Sequence, residues 1–145
     1  ADLLQAQCCE IAALRNRIKT KIPVYADVYE VHGVPLGAKP IEDAAWESIH
    51  EAFADGLFIA GKTPEESIQM VKRARKRVGD APIFLGGGST GDNIEELLTY
   101  FDGVSVATWI KDGDMKNPVN SQKARIFIEN ARKGAEKRKK GESET

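Results

Sequence analysis

A chain of 145 residues is long enough for one domain built around one core. Its 21 Lys+Arg against 22 Asp+Glu leave a net charge of −1, which argues against a general nucleic-acid binder with a clustered basic surplus. With 41% hydrophobic and 30% charged residues the composition is globular rather than disordered, and no apolar run reaches the roughly 18–20 residues a membrane helix needs.

The opening ADLLQAQCCE carries acids and no basic segment, so no secretory signal is expected. Position 1 is Ala, so the expectation is a processed chain or a piece of something longer. Periodicity predicts a first helix from Asp2 to Lys19, with Leu4, Cys8, Ile11, Leu14 and Ile18 on one face. Cys8 and Cys9 are adjacent and point about 100° apart on a helix, so they read as reduced thiols of a cytoplasmic protein. They have no His or further Cys at ligand spacing, so no metal site is expected.

Ile22 to Tyr29 is a short apolar run entered through Pro23 and predicts the first strand. A loop, His32-Gly-Val-Pro-Leu-Gly37, leads to a helix over Ile41–Ala54. Leu57–Ala60 predicts the second strand. Gly61-Lys62-Thr63 then has the ending of a nucleotide-binding loop but no glycine at the required spacing before it. Thr63 as N-cap, Pro64 in the first turn and Glu66 three residues on explain the segment better as a helix start, running to about Val78. Pro82–Leu85 predicts the third strand, followed by Gly86-Gly87-Gly88-Ser89-Thr90 and a helix over Asp92–Phe101. Gly103–Ile110 predicts the fourth strand, and Ser121 to about Lys133 the last helix. Residues 1–133 form the domain on this reading, and 134–145 a charged, frayed tail.

Short wholly apolar strands alternating with amphipathic helices indicate a parallel sheet covered by helices. Two architectures fit four such units: half of an eight-stranded barrel, or a small open sheet with helices on both faces. In either, chemistry belongs at the C-terminal ends of the strands. The glycine run is the most informative of these ends. Residues without Cβ let backbone N–H groups approach a ligand, and a helix start adds a partial positive charge, so Gly86, Gly87 and Gly88 form a candidate anion pocket with Ser89 or Thr90 as an extra donor. The alternative is a tight turn, although three glycines exceed what a turn needs. Asp27 follows apolar residues near the end of the first strand, where a carboxylate is costly unless it is hydrogen-bonded, metal-bound or catalytic, the structural alternative being a capping Asp or one ion-paired with Lys21 or Arg15. His32, in the loop beyond, is a candidate proton carrier. His50, Trp46 and Trp109 read as structural, and so does the charged turn Lys111-Asp112-Gly113-Asp114.

Several of these segments together resemble the BtpA/SgcQ family. They are Ala26-Asp27-Val28 with His32 and Pro35-Leu36-Gly37, Ala54-Asp55-Gly56-Leu57, Leu85-Gly86-Gly87-Gly88 with Asn93, Asp102-Gly103, Ile110-Lys111-Asp112-Gly113 and Asn117-Pro118-Val119. The resemblance implies a phosphate-binding type (β/α)₈ barrel of which this chain is the second half, a parallel (βα)4 unit preceded by an extra helix. It further implies a phosphate site at Gly87, Gly88, Ala107 and Thr108. The family tends to have a basic residue where this chain has Val31, and Thr-Gly where it has Ala60-Gly61.

The functional expectation is therefore a barrel-type protein that binds a phosphorylated small molecule, a sugar phosphate or nucleotide, with Asp27 and His32 as catalytic candidates. The alternatives are a non-catalytic assembly or stability factor, resembling one for photosystem I, or an inactive half-barrel. The sequence leaves any cofactor unspecified; nucleic acid is not an expected partner, and no transmembrane segment is expected. Four strands leave two open edges and an uncovered apolar face, so a homo-oligomer or a complementary half-barrel is expected.

Overall fold

A computed structural model describes residues 7–29 and 37–143. Candidate His32, together with residues 2–6 of the expected first helix, lies outside the described residues. The order of elements is α1 (Cys8–Arg17), β1 (Tyr25–Tyr29), α2 (Ile41–His50), β2 (Gly56–Ile59), α3 (Pro64–Val78), β3 (Ile83–Leu85), α4 (Ile94–Leu97), β4 (Gly103–Val104), a 3₁₀ turn (Trp109–Lys111) and α5 (Ser121–Ser143).

The four strands form one sheet in the order β1-β2-β3-β4, and every pair is parallel. A strictly sequential order is what a barrel produces, whereas a doubly wound sheet reverses direction at a switch point. The two faces of the sheet differ accordingly. Alternate residues point to opposite faces. Leu57, Ile59, Ile83 and Leu85 are at most 1% exposed, and they share one core with Ile41 and Ala45 of α2, Val71 and Ala74 of α3, and Ile94 and Leu97 of α4. Truncating one such leucine to alanine costs about 3 kcal/mol. The other face carries Tyr25, Phe58 and Phe84, whose ring centroids lie 5.1 to 6.4 Å apart. Tyr25 is 42% exposed there.

The N-terminal ends of the strands are fixed by a repeated Asp-Gly pair. Asp55 accepts from the Val24 amide at 2.8 Å and from Arg15 at 2.6 Å. Asp102 accepts from the Ile83 amide at 2.7 Å, from Arg75 at 2.7 Å and from Arg138 at 2.5 Å. A Cβ on Gly56 would lie 2.5 Å from the Tyr25 ring, and one on Gly103 would lie 2.5 Å from the Phe84 ring. The glycines therefore admit aromatic rings across the sheet. Burial works against the Asp102 carboxylate, but the Ile83 amide and the two guanidiniums outweigh it and hold its pKa below the ordinary value. The Val24 amide, followed by Arg15, lowers Asp55 in the same direction.

Several expected elements differ in extent: β1 begins at Tyr25 rather than Ile22, and α2 ends at His50 rather than Ala54. The fourth strand ends at Val104, and Trp109–Lys111 is a 3₁₀ turn rather than strand. Trp109 folds back over Gly91, where a Cβ would come within 2.4 Å of its ring, and meets Phe127 at 6.1 Å. The helix expected over Asp92–Phe101 contracts to Ile94–Leu97. Asp92 and Asn93 donate their amides to Thr90 Oγ1, which delays its start, while Thr99 and Tyr100 close i→i+3 bonds that tighten its end. The last helix runs through the segment expected to fray, reaching Ser143. Gly134, which reads as a stop in sequence, sits against the Glu95 carbonyl, 2.4 Å from where its Cβ would be, and so allows α5 to approach α4 closely. Lys137 pairs with Glu95 and Arg138 with Asp102 beyond that point.

Candidate functional site

The loops after β3 and β4 enclose a cleft of about 860 Å³. Gly86, Gly87, Gly88, Ser89, Ala107 and Thr108, the six candidate phosphate-binding residues, all line it. Adjacent parallel strands bring their C-terminal loops side by side, so residues some twenty apart in sequence share one wall. The cleft also takes in Thr90, Ser105, Trp109, Asp112, Gly113, Met115 and Lys123.

The backbone of the glycine run divides its duties. Gly86 continues the ladder, donating to the Ile59 carbonyl at 3.1 Å. Gly88 adopts φ +75°, a conformation that only glycine enters without strain, and a Cβ there would meet nothing within 4 Å. Asn93 secures the loop from both sides: its Oδ1 accepts from the Thr90 amide at 2.8 Å and its Nδ2 donates to the Gly88 carbonyl at 3.0 Å. Ser89 is 7% exposed and donates its hydroxyl to the Ser105 carbonyl at 3.0 Å, which ties the glycine loop to the end of β4. Its proton is thus committed inward, and the extra donor expected of Ser89 is not aimed at the cleft. Among the described residues, no carbonyl or side chain accepts from the amides of Gly87, Gly88, Ala107 or Thr108. Four residues that line one cavity at two neighbouring loops thus keep amides without a described acceptor, Gly87 half-buried and Gly88, Ala107 and Thr108 exposed. The partial positive charge expected of the following helix is absent, because α4 has only four residues.

The loop after β2 contrasts with this. The Gly61 amide donates to Ser67 Oγ at 2.9 Å and the Lys62 amide to Glu66 Oε2 at 2.6 Å, while Thr63 Oγ1 accepts from the Glu66 amide. Thr63 caps α3, and the loop satisfies the amides of Gly61 and Lys62 from within.

Asp27 stands on β1 in register with Phe58, on the sheet face away from the core, and is exposed. Two strands separate it from β4, and it does not line the cleft. Arg15, one suggested partner, is taken by Asp55. Sequence reasoning read Asp112 as part of a structural charged turn and did not single out Lys123; the two line the cleft as an ion pair at 2.9 Å. The Lys123 ammonium also lies 5.3 Å from the centre of the Trp109 ring. The signal was indirect: a lysine in the first turn of a helix opposes the dipole and needs a nearby carboxylate. Lys123, then Asn120, lowers the pKa of Asp112. His50 and Trp46 stack on each other, and Arg77 lies over the indole. No described helix is long and apolar enough to cross a membrane.

A sequential parallel sheet with helices on one face, and a cleft where its last two strands end, defines half of an eight-stranded α/β barrel. In agreement, the fold is similar to that of N-(5'-phosphoribosyl)anthranilate isomerase from Pyrococcus furiosus, with a TM-score of 0.57 at 16% identity, over 88% of this chain and 58% of that one. The chain belongs to the BtpA family, whose model matches residues 1–133. It is 37% identical to an uncharacterised protein of Thermococcus kodakarensis, over 85% of this chain and 47% of that one. It is also 28% identical to the photosystem I biogenesis protein BtpA of Synechocystis (88% and 45%), and 29% identical to the putative sgc region protein SgcQ of Escherichia coli (66% and 37%). The chain thus spans about half the length of the curated relatives it matches.

Proposed function

We propose that the chain binds the phosphate group of a small phosphorylated molecule, a sugar phosphate or nucleotide, in the cleft between the loops after β3 and β4. The observation that carries this reading is the set of four amides, Gly87, Gly88, Ala107 and Thr108, that line one cavity without an internal acceptor. Gly87 is half-buried and Gly88, Ala107 and Thr108 are exposed, so an anion reaches these amides without displacing protein, and a charged acceptor makes a stronger hydrogen bond to them than water does. Barrels of this kind commonly hold phosphate at the loops after their last two strands, the position these loops take in a barrel of which this is the second half. Asp27 serves as the acid/base group and His32 as its helper, both acting on a ligand that extends across the mouth of the completed barrel. The open edge of β1, the exposed Ile11 and Leu14 of α1 with Ile18 just beyond it, and the aromatic face of the sheet are covered by a complementary half-barrel or a second copy. The two free thiols, Cys8 and Cys9, suit a reducing compartment, and we place the chain in the cytoplasm.

A thermal-shift panel of sugar phosphates and nucleotides tests the ligand claim. The parent chain melts higher with at least one of them, and Gly88→Asp abolishes the shift by placing a carboxylate where the anion sits. Equal responses from parent and variant refute the site. A second reading, a non-catalytic assembly factor that uses the same scaffold as a protein-binding surface, is favoured by the similarity to the photosystem I biogenesis protein of Synechocystis. That reading predicts no ligand in the panel and capture of a partner protein instead. Size-exclusion chromatography with light scattering tests the covering of the open edges, and a stable monomer at micromolar concentration refutes it.

A further inference from the structure

The anion reading leaves one part of the cleft unexplained. Of the described residues that line it, Lys123 alone carries a positive charge, and it stands in the first turn of α5, which holds no acidic residue. A cation there opposes the helix dipole. The amides of Gln122, Lys123 and Ala124 offer nothing to a ligand, because Asn120 Oδ1 accepts from Gln122 and Lys123 and the Asn120 carbonyl accepts from Ala124. What α5 contributes to the cleft is therefore an ammonium group on a long stem. Asp112 occupies that ammonium at 2.9 Å. Asp112 sits in a left-handed conformation, φ 54°, at the close of the loop that begins with Ala107 and Thr108, and Asn120 Nδ2 lies 3.1 Å from its second oxygen. The turn is closed by the Gly113 amide donating to the Thr108 carbonyl. Asp112 is thus fixed to the same short turn as two of the four open amides.

We propose that Lys123 is the cation that meets the ligand's anionic group, and that Asp112 holds it over Trp109 until that group arrives. The proposal rests on the anion-site reading above. Both members are partly exposed, 36% for the Lys123 side chain and 48% for Asp112, so the pair is weak enough to exchange. A carboxylate at this position also charges an electrostatic toll on every anion that enters, and only a group that engages both amides and ammonium overcomes it. The device favours a phosphate, with several oxygens to share, over a carboxylate.

Titration of the 145-residue chain with inorganic phosphate, followed by calorimetry, tests this. Lys123→Met weakens binding about tenfold, as loss of a charge-assisted bond at a half-exposed site requires. Lys123→Arg stays within about twofold of the parent, which shows that a retained charge rescues the site. Asp112→Asn tightens binding about two- to fivefold, the worth of an exposed pair that no longer competes. If Gly88→Asp removes binding while Lys123→Met and Asp112→Asn leave it unchanged, the Lys123 proposal is overturned and the amide site stands. If Asp112→Asn lowers only the melting temperature, Asp112 is structural and the holding role is overturned. A parent chain that does not respond to phosphate overturns both the proposal and the reading beneath it.

Discussion

Two glycine-bearing loops leave the same end of the sheet and each precedes a helix, yet they are built to opposite purposes. In Gly61-Lys62-Thr63 the first two amides are satisfied by Ser67 and Glu66, and the glycine is there because a Cβ would strike Glu66 and Ser67 at 2.7 to 2.9 Å. In Gly86-Gly87-Gly88 only the first amide is satisfied, and the third glycine is there because its φ is +75° with open space around it. Glycine in the first case makes room for protein. In the second it leaves room beside protein. The motif with the nucleotide-binding spelling is therefore the structural one.

Substitutions should separate the two loops. Gly61→Ala forces a Cβ against the helix start and lowers stability by about 2 kcal/mol, read by chemical denaturation, while leaving any ligand-induced shift in melting temperature intact. A loss of ligand response in a folded Gly61→Ala chain would erase the distinction. The opposite end of the sheet supplies a control remote from both loops. Asp102→Asn removes the charge that holds Arg75 and Arg138 and costs about 1.5 kcal/mol near neutral pH, with ligand response unchanged. Because its folded pKa lies below the unfolded value, the stability Asp102 provides is present above roughly pH 4 and is lost as pH falls through the folded pKa. The parent should weaken more steeply than Asp102→Asn over that acid range, and parallel acid profiles would contradict the assignment. Gly88→Ala pays for a left-handed backbone with a side chain, about 1 kcal/mol of stability, and also weakens anion binding. Thr63→Ala, which removes a long capping bond, costs about 0.5 kcal/mol and nothing in ligand response.

The architecture was legible because short apolar strands such as Leu57–Ala60 and Pro82–Leu85 cannot be mistaken for amphipathic helices, and because Thr63-Pro64-Glu66 announces a helix start. The grouping of Gly86–Ser89 with Ala107 and Thr108 was legible from topology, since adjacent parallel strands bring their ends together. What escaped was tertiary. The apolar run Ala107–Ile110 reads as strand until Trp109 is seen lying on Gly91. Gly134 reads as a terminator until it is seen against the backbone of α4. Lys123 and Asp112 lie eleven positions apart in polar sequence, and no local pattern announces that they close one cleft. Asp27 stands apart at the far edge of the sheet, and its part in the site depends on the barrel being completed.

The most direct test of the open amides is a titration with inorganic phosphate followed by backbone amide NMR on the uniformly ¹⁵N-labelled chain. The N–H resonances of Gly87, Gly88, Ala107 and Thr108 should move together and saturate, while those of Gly61 and Lys62 stay in place. Saturable shifts confined to other parts of the chain, or none in these four amides, would contradict the account.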